Sequence, residues 1–191
     1  MSLFGIAMLI IVGLVFIVLF IMLLQQVRTT KDIVSAVDKL KLRPNTPALS
    51  ADRLSEVAAK ANSQLLILCG ICNPSVYGGE TLHLLEEKVN QGVEVRILSG
   101  PNPAKGDDGK NPIENLAELM AGKGNFKLGL LPNYPADGHF RVADGEYYCI
   151  EMPHTSDSPD DGKLISEVIK DKADAAALVK YFNELASKPP S

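Results

Sequence analysis

The sequence has no charged residue between Leu3 and Leu24, because all 19 Lys and Arg residues and all 23 Asp and Glu residues follow this segment. A helix of this length rises about 33 Å, which matches the hydrocarbon core of a bilayer. A core helix that is apolar on every side would need a much larger protein around it. The segment also lacks the basic start and the small-x-small cleavage site of a signal peptide. It therefore predicts a membrane anchor.

Three further absences exclude other classes of protein. The three cysteines are an odd number, which is a poor basis for a disulfide framework. The net charge is −4 and no cluster of Lys and Arg forms a basic patch, so we expect no nucleic-acid partner. No Walker-type or dinucleotide-binding glycine pattern occurs, and we expect no cofactor.

The distribution of positive charge indicates an orientation for the anchor. No Lys or Arg precedes it, whereas its C-terminal flank carries Arg28, Lys31, Lys39, Lys41 and Arg43. Because Lys and Arg collect on the cytoplasmic side of a span, we expect the N-terminus outside and the C-terminal part in the cytoplasm. The chain then divides into the anchor (1–25), a juxtamembrane helix with a proline linker (26–49), and a soluble domain (50–191).

The soluble domain alternates helices and strands, which predicts an α/β fold with a mixed sheet flanked by helices. Asp144–Gly145 is a strong hairpin signal between two apolar runs. The predicted helices are Ser50–Ala61 with Ser50 as N-cap, Glu80–Asn90, one from Pro112 to near Gly122–Gly124, and Lys163–Ser187. The predicted strands are Leu65–Cys69, Val93–Leu98, Phe126–Leu131, His139–Ala143 and Glu146–Glu151.

This order of elements, with the stretch NQGVEVRILSGP and the hairpin motif H-x-R-x-x-D-G, resembles the phospholipase D superfamily in a single-repeat form. The resemblance covers about residues 50–188. It implies an H-x-K-x4-D motif, in which the His attacks phosphorus and the Lys holds phosphate oxygens, followed by G-S-x-N. Two such motifs meet in one site, so activity would require a homodimer.

Only part of that motif is present here. His139 matches the nucleophile and Arg141 stands in place of the Lys. Asp144 comes two positions before the family's acid, and Glu146 occupies the family spacing. Glu151 lies where the Gly-Ser pair is expected, and its charge would repel a phosphodiester.

A second motif, C-x-x-C at Cys69–Cys72, follows a predicted strand. In thioredoxin-like proteins a helix N-terminus lowers the pKa of the first thiol. The next predicted helix begins only near Glu80, so buried structural cysteines are favoured over redox chemistry. No second C-x-x-C or H-x-x-x-H follows, and we expect no metal site.

Two hypotheses follow. The first is a non-catalytic accessory subunit of a larger membrane complex, photosynthetic or respiratory in type, which contacts lipids and other integral membrane subunits. The anchor residues expected to make these contacts are Leu3, Gly5, Ala7, Gly13, Phe16, Phe20 and Leu24. The alternative is a membrane-tethered phosphodiesterase, a homodimer using His139, Arg141 and either Asp144 or Glu146.

Overall fold

The computed structural model describes residues 41–44, 46–70, 72–100, 109, 111–132, 138–152 and 164–187. The chain divides into two compact units, Met1–Lys41 and Leu42–Ser191, and the described residues other than Lys41 belong to the second. No helix within these ranges is both long enough and apolar enough to cross a bilayer. The predicted anchor, its seven contact residues and most of the juxtamembrane helix lie outside the described residues.

The second unit alternates strands and helices, as the sequence predicts. Its helices are α1 (Pro47–Lys60), α2 (Pro74–Tyr77), α3 (Gly79–Asn90), α4 (Pro112–Leu119) and α5 (Lys172–Ala186). Its strands are β1 (Arg43–Pro44), β2 (Gln64–Cys69), β3 (Glu94–Ser99), β4 (Phe126–Leu130), β5 (His139–Ala143), β6 (Tyr147–Glu151), β7 (Leu164–Ile165) and β8 (Ile169–Lys170).

The strands form one mixed sheet in the order β1-β7-β6-β5-β2-β3-β4, with β8 paired to β6. Strands β2, β3 and β4 are parallel, whereas β5 pairs antiparallel with both β2 and β6. The predicted mixed α/β sheet is therefore confirmed, and β2 joins its parallel half to its antiparallel half.

Helices cover both faces of the sheet. On one face, Leu65 and Ile67 of β2 pack in a core with residues of α1 to α4. On the other face, the fully buried Phe182 of α5 meets Phe140 of β5, with ring centroids 6.5 Å apart. Since both faces are covered, β2 is apolar at every position from Leu65 to Cys69, the pattern typical of a buried strand.

The first helix begins earlier than the sequence predicts. Thr46 is its N-cap, its side-chain oxygen accepts a hydrogen bond from the Leu49 N–H, and Pro47 opens the first turn. The assignment of Ser50 as N-cap was wrong, because Ser50 lies one turn inside the helix and is buried. Its hydroxyl does not cap the helix and instead contacts Arg141 and Glu151.

The ends of the unit also differ from the prediction. Arg43–Pro44, expected at a helix end and in a linker, pairs as β1 with Leu164–Ile165. Lys41, with φ of +43°, is not in a right-handed helical conformation. The last helix does not start near Lys163, because β7 and β8 come first and the Asp171 carboxylate caps α5 through the Ala173 and Asp174 N–H groups.

The β5–β6 hairpin is confirmed, and its turn is joined to the start of β2. Asp144 and Gly145 both have positive φ, at +53° and +63°. The Asp144 carboxylate accepts hydrogen bonds from the backbone N–H groups of Asn62, Ser63 and Gln64 at 2.8–2.9 Å. Burial alone would raise the pKa of Asp144, but these N–H groups outweigh it and lower the pKa to about 2.

We predict that Asp144→Ala lowers the free energy of unfolding by about 2 kcal/mol at neutral pH, because three N–H donors lose a charged acceptor. Asp144→Asn should lose less, since Asn tolerates positive φ and keeps one acceptor oxygen. Urea unfolding of the full chain in mild detergent can be followed through its five tyrosines, as the sequence has no tryptophan.

The same carboxylate makes stability depend on pH. Because folding lowers the pKa of Asp144, its contribution is complete above the unfolded value near 3.8 and is lost as the pH falls toward 2. The stability difference between wild type and Asp144→Asn should shrink over that interval. A difference that stays constant from pH 5 to pH 2 would contradict this assignment.

Candidate functional site

Polar side chains from four strands meet at one edge of the sheet. Cys69 and Ser99 end the parallel strands β2 and β3 and are paired in register. His139 begins β5 opposite Glu151, which ends β6. In open α/β sheets, ligands bind outside the carboxyl ends of the parallel strands. The candidate site is therefore this edge.

Arg141 lies at the centre of the site and its side chain is only 2% exposed. One terminal nitrogen, Nη2, donates hydrogen bonds to Ser50 Oγ at 2.7 Å and to Glu151 Oε2 at 3.1 Å. The Ser50 hydroxyl in turn donates to the same Glu151 oxygen at 3.1 Å. We call this closed set of contacts the Ser50–Arg141–Glu151 triangle. The other terminal nitrogen, Nη1, is buried without a hydrogen-bond partner among the described residues.

The pKa shifts keep both members of the buried ion pair charged. Burial alone would raise the pKa of Glu151, but the positive charges of Arg141 and His139 and two hydrogen bonds lower it overall. Burial likewise disfavours the Arg141 cation, but the nearby Tyr77 and Glu151 raise its pKa above the ordinary value. Glu151 therefore stays negative and Arg141 stays positive at neutral pH.

His139 is the second member of the site. Its Nδ1 atom lies 3.8 Å from Glu151 Oε1, and its side chain is 12% exposed. The two Glu151 oxygens therefore face different groups, one toward the imidazole and one toward the guanidinium. A carboxylate in this position can orient an imidazole.

A thiol cluster adjoins this group. The Sγ atoms of Cys69 and Cys72 are 2.7 Å apart, and Cys72 Sγ lies 3.2 Å from Ser99 Oγ. All three cysteines are buried and free. The Tyr77 hydroxyl is buried here without a hydrogen bond of normal geometry to a described residue, although its interaction with the Cys69 thiol bears on the pKa of both groups.

The site contains only two of the four residues named for the phosphodiesterase alternative. His139 and Arg141 are brought together, because residues two apart on a strand share a face. Asp144 lies in the turn at the opposite end of the hairpin, bound to Asn62, Ser63 and Gln64. Glu146 pairs with Lys170 at 3.1 Å, also away from the site.

Two residues of the site were missed as participants. From the sequence, we expect Glu151 to repel a phosphodiester and Ser50 to cap a helix. A signal for Glu151 did exist, since a hairpin centred on Asp144–Gly145 puts it directly opposite His139. Ser50 had no such signal, because its position depends on how α1 packs on the sheet.

Comparison with known proteins shows the fold alone. No known family model and no curated protein sequence matches this chain. Among solved structures, it is similar to TrmBL2, an archaeal chromatin protein, with a TM-score of 0.57, 15% identity and coverage of 88% of this chain. The match spans 63% of TrmBL2, less than two thirds of that protein.

Two phospholipase D-like structures match most of their own length. Nuc from Salmonella typhimurium, a phospholipase D family member, has a TM-score of 0.51, 14% identity and coverage of 79% of this chain and 96% of that one. NucT from Helicobacter pylori has a TM-score of 0.51, 10% identity and coverage of 76% and 92%. The described unit therefore has a phospholipase D-like fold.

We predict that Glu151→Ala lowers the free energy of unfolding by about 3–5 kcal/mol, because it leaves the buried Arg141 cation without its counter-charge. Glu151→Gln should cost less, since an acceptor oxygen remains for Ser50 and Arg141. Glu184→Ala is the matched control, as Glu184 pairs with Lys180 at 3.9 Å on the surface, where such pairs contribute about 0.5 kcal/mol or less. Equal effects in urea unfolding of Glu151→Ala and Glu184→Ala would show that the triangle does not stabilise the fold.

Proposed function

We propose that this protein is a non-catalytic, single-pass membrane subunit whose phospholipase D-like domain is a docking module in a larger membrane complex. The observation that supports this best is the burial of Arg141 in the Ser50–Arg141–Glu151 triangle. A phosphate clamp must present its N–H donors to a ligand, and this guanidinium is 2% exposed and already paired with a carboxylate.

The charge of the site supports the same proposal. A phosphodiester entering beside His139 would meet the Glu151 carboxylate, whose lowered pKa keeps it negative. Removing the carboxylate from Arg141 would cost about 3–5 kcal/mol, so a phosphate would have to displace a better-placed anion. Neither Asp144 nor Glu146 is near enough to replace Glu151 as the acid of the site.

The docking role rests on the predicted anchor together with the domain. A charge-free helix offers other helices only shape, and Gly5, Ala7 and Gly13 permit close approach. The domain would add a second contact on the predicted cytoplasmic side. Photosynthetic and respiratory complexes are the class of assembly in which such subunits are common.

DNA binding is a weaker proposal for this chain. The structure of TrmBL2 is described as showing a novel mode of DNA binding, which concerns that protein. Here 23 acidic residues outnumber 19 basic ones, and electrostatic attraction to phosphates needs the reverse balance in the binding surface.

A second candidate is the membrane-tethered phosphodiesterase, acting as a homodimer. The placement of His139 beside a carboxylate, at the carboxyl edge of the parallel strands, favours it. In that reaction His139 would attack phosphorus, Arg141 would hold phosphate oxygens and a second copy of the chain would supply the other half of the site. The candidate requires Arg141 to leave Glu151.

A chromogenic phosphodiester separates the two candidates. We expect the full chain in mild detergent to release no more nitrophenol from bis(4-nitrophenyl) phosphate than buffer does between pH 5 and pH 9. Turnover that disappears in His139→Ala would establish the phosphodiesterase instead. His83→Ala is the matched control, since His83 lies 3.8 Å from Glu86 but on the surface of α3.

The docking proposal predicts that mild detergent releases the protein in a larger complex of fixed stoichiometry. Gly13→Ile should weaken that complex by about tenfold, or about 1.4 kcal/mol, because it blocks close helix approach. Val12→Ile is the matched control and should leave the complex intact. Native electrophoresis and size-exclusion chromatography give the measurement, and a clean monomer from the wild type would contradict the proposal.

A further inference from the structure

We propose that Cys69 and Cys72 form a reversible dithiol–disulfide site that hydrogen peroxide oxidises. This activity is separate from the proposed docking role, because it involves neither the anchor nor turnover of a phosphodiester. It rests on the placement of the two sulfurs at the end of β2 and on the cationic group beside them.

The geometry needs little change to close the bond. The two Sγ atoms are 2.7 Å apart, and a disulfide bond is about 2.04 Å long, so the sulfurs need to approach by roughly 0.7 Å. Cys69 is the last residue of β2 and Cys72 precedes the N-cap of α2. Cys72 has φ of +46°, a conformation uncommon for a residue with a side chain.

The two thiols are not equivalent. Burial alone would raise the pKa of Cys69, but interactions with Cys72 and Tyr77 and the positive charge of Arg141 lower it overall. The pKa of Cys72 is raised, chiefly by its hydrogen bond with Cys69 and by burial. Cys69, the thiol with the lower pKa, is therefore assigned as the attacking sulfur, and Cys72 as the resolving sulfur.

Cys149 is a natural comparison within the same site. It is as fully buried as the pair, and Arg141 also acts on it, but its Sγ lies against the Ser166 carbonyl oxygen at 3.4 Å instead of a second sulfur. Burial raises its pKa. We therefore expect Cys149 to stay reduced under conditions that oxidise the other two.

The reaction balances with peroxide as the oxidant. The Cys69 thiolate attacks one oxygen of hydrogen peroxide, the O–O bond breaks, and hydroxide leaves as a sulfenic acid forms on Cys69. The Cys72 sulfur then attacks the Cys69 sulfur, the S–O bond breaks, and the hydroxyl leaves with the Cys72 proton as water. The two sulfurs together lose two electrons, which reduce the peroxide.

Burial decides the kind of oxidant and the kind of reductant. Cys69 is 2% exposed and Cys72 is 1% exposed, so a small uncharged oxidant has an advantage over a bulky disulfide or another protein. The same burial restricts the reductant, so regeneration of the dithiol by thiol–disulfide exchange needs a small thiol and not another protein.

Mass spectrometry of the full chain in mild detergent tests the proposal. The reduced protein is treated with peroxide, denatured and alkylated with iodoacetamide. We expect two of the three alkylatable thiols to be lost, the mass to fall by two hydrogen atoms before alkylation, and peptide mapping to join Cys69 to Cys72. Dithiothreitol should restore all three thiols.

Two variants sharpen the result. Cys149→Ser should still lose two thiols, whereas Cys72→Ser should form no disulfide and should leave a sulfenic acid on Cys69 that dimedone labels. Three alkylatable thiols after peroxide, a disulfide that includes Cys149, or sulfinic acid as the main product on wild-type Cys69 would each overturn the proposal. None of these results depends on whether the docking complex exists.

Discussion

The buried charge of Arg141 is the constraint on which the rest of this edge depends. A guanidinium placed between α1 and the sheet must find an anion and a polar partner there, because an unpaired buried charge is very unfavourable. Glu151 and Ser50 meet this requirement from two different elements, one on β6 and one on α1. The same contacts join α1 to the sheet and place the Glu151 carboxylate beside the imidazole of His139.

A shared fold does not by itself give this domain the chemistry of the structures it resembles. The domain has a phospholipase D-like sheet and carries His139 and Arg141 two residues apart on β5. The acid beside them, Glu151, lies on the neighbouring strand β6 and pairs with Arg141 in the interior of the protein. Fold likeness at 10–15% identity therefore says little about reactivity here, because the decisive contact is made by side chains that differ freely within one fold.

Local patterns predicted much of the fold and only part of the site. The continuous apolar run of β2, the Asp144–Gly145 turn and the glycine before α3 are signals carried by adjacent residues, and the structure agrees with them. The start of α1, the short helix α2 and the strands β7 and β8 depend on contacts with distant parts of the chain. At about 3.3 Å per residue, Asp144 is also some 16 Å along the strand from His139, so motif spacing alone could not make it a catalytic neighbour.

The sequence separation within the triangle has a consequence for how the domain folds. Ser50 and Arg141 are 91 residues apart, whereas β2 and β3 are joined by the much shorter crossover that contains α2 and α3. Closing the longer loop carries the greater entropic penalty, and ribosomal synthesis delivers α1 to β4 before β5 exists. The parallel half is therefore the first scaffold available, and the Arg141 charge keeps its hydration shell until β5 and β6 pair with it. Dehydration of the Arg141–Glu151 ion pair therefore cannot precede the synthesis of β5 and β6 and their pairing with the parallel half.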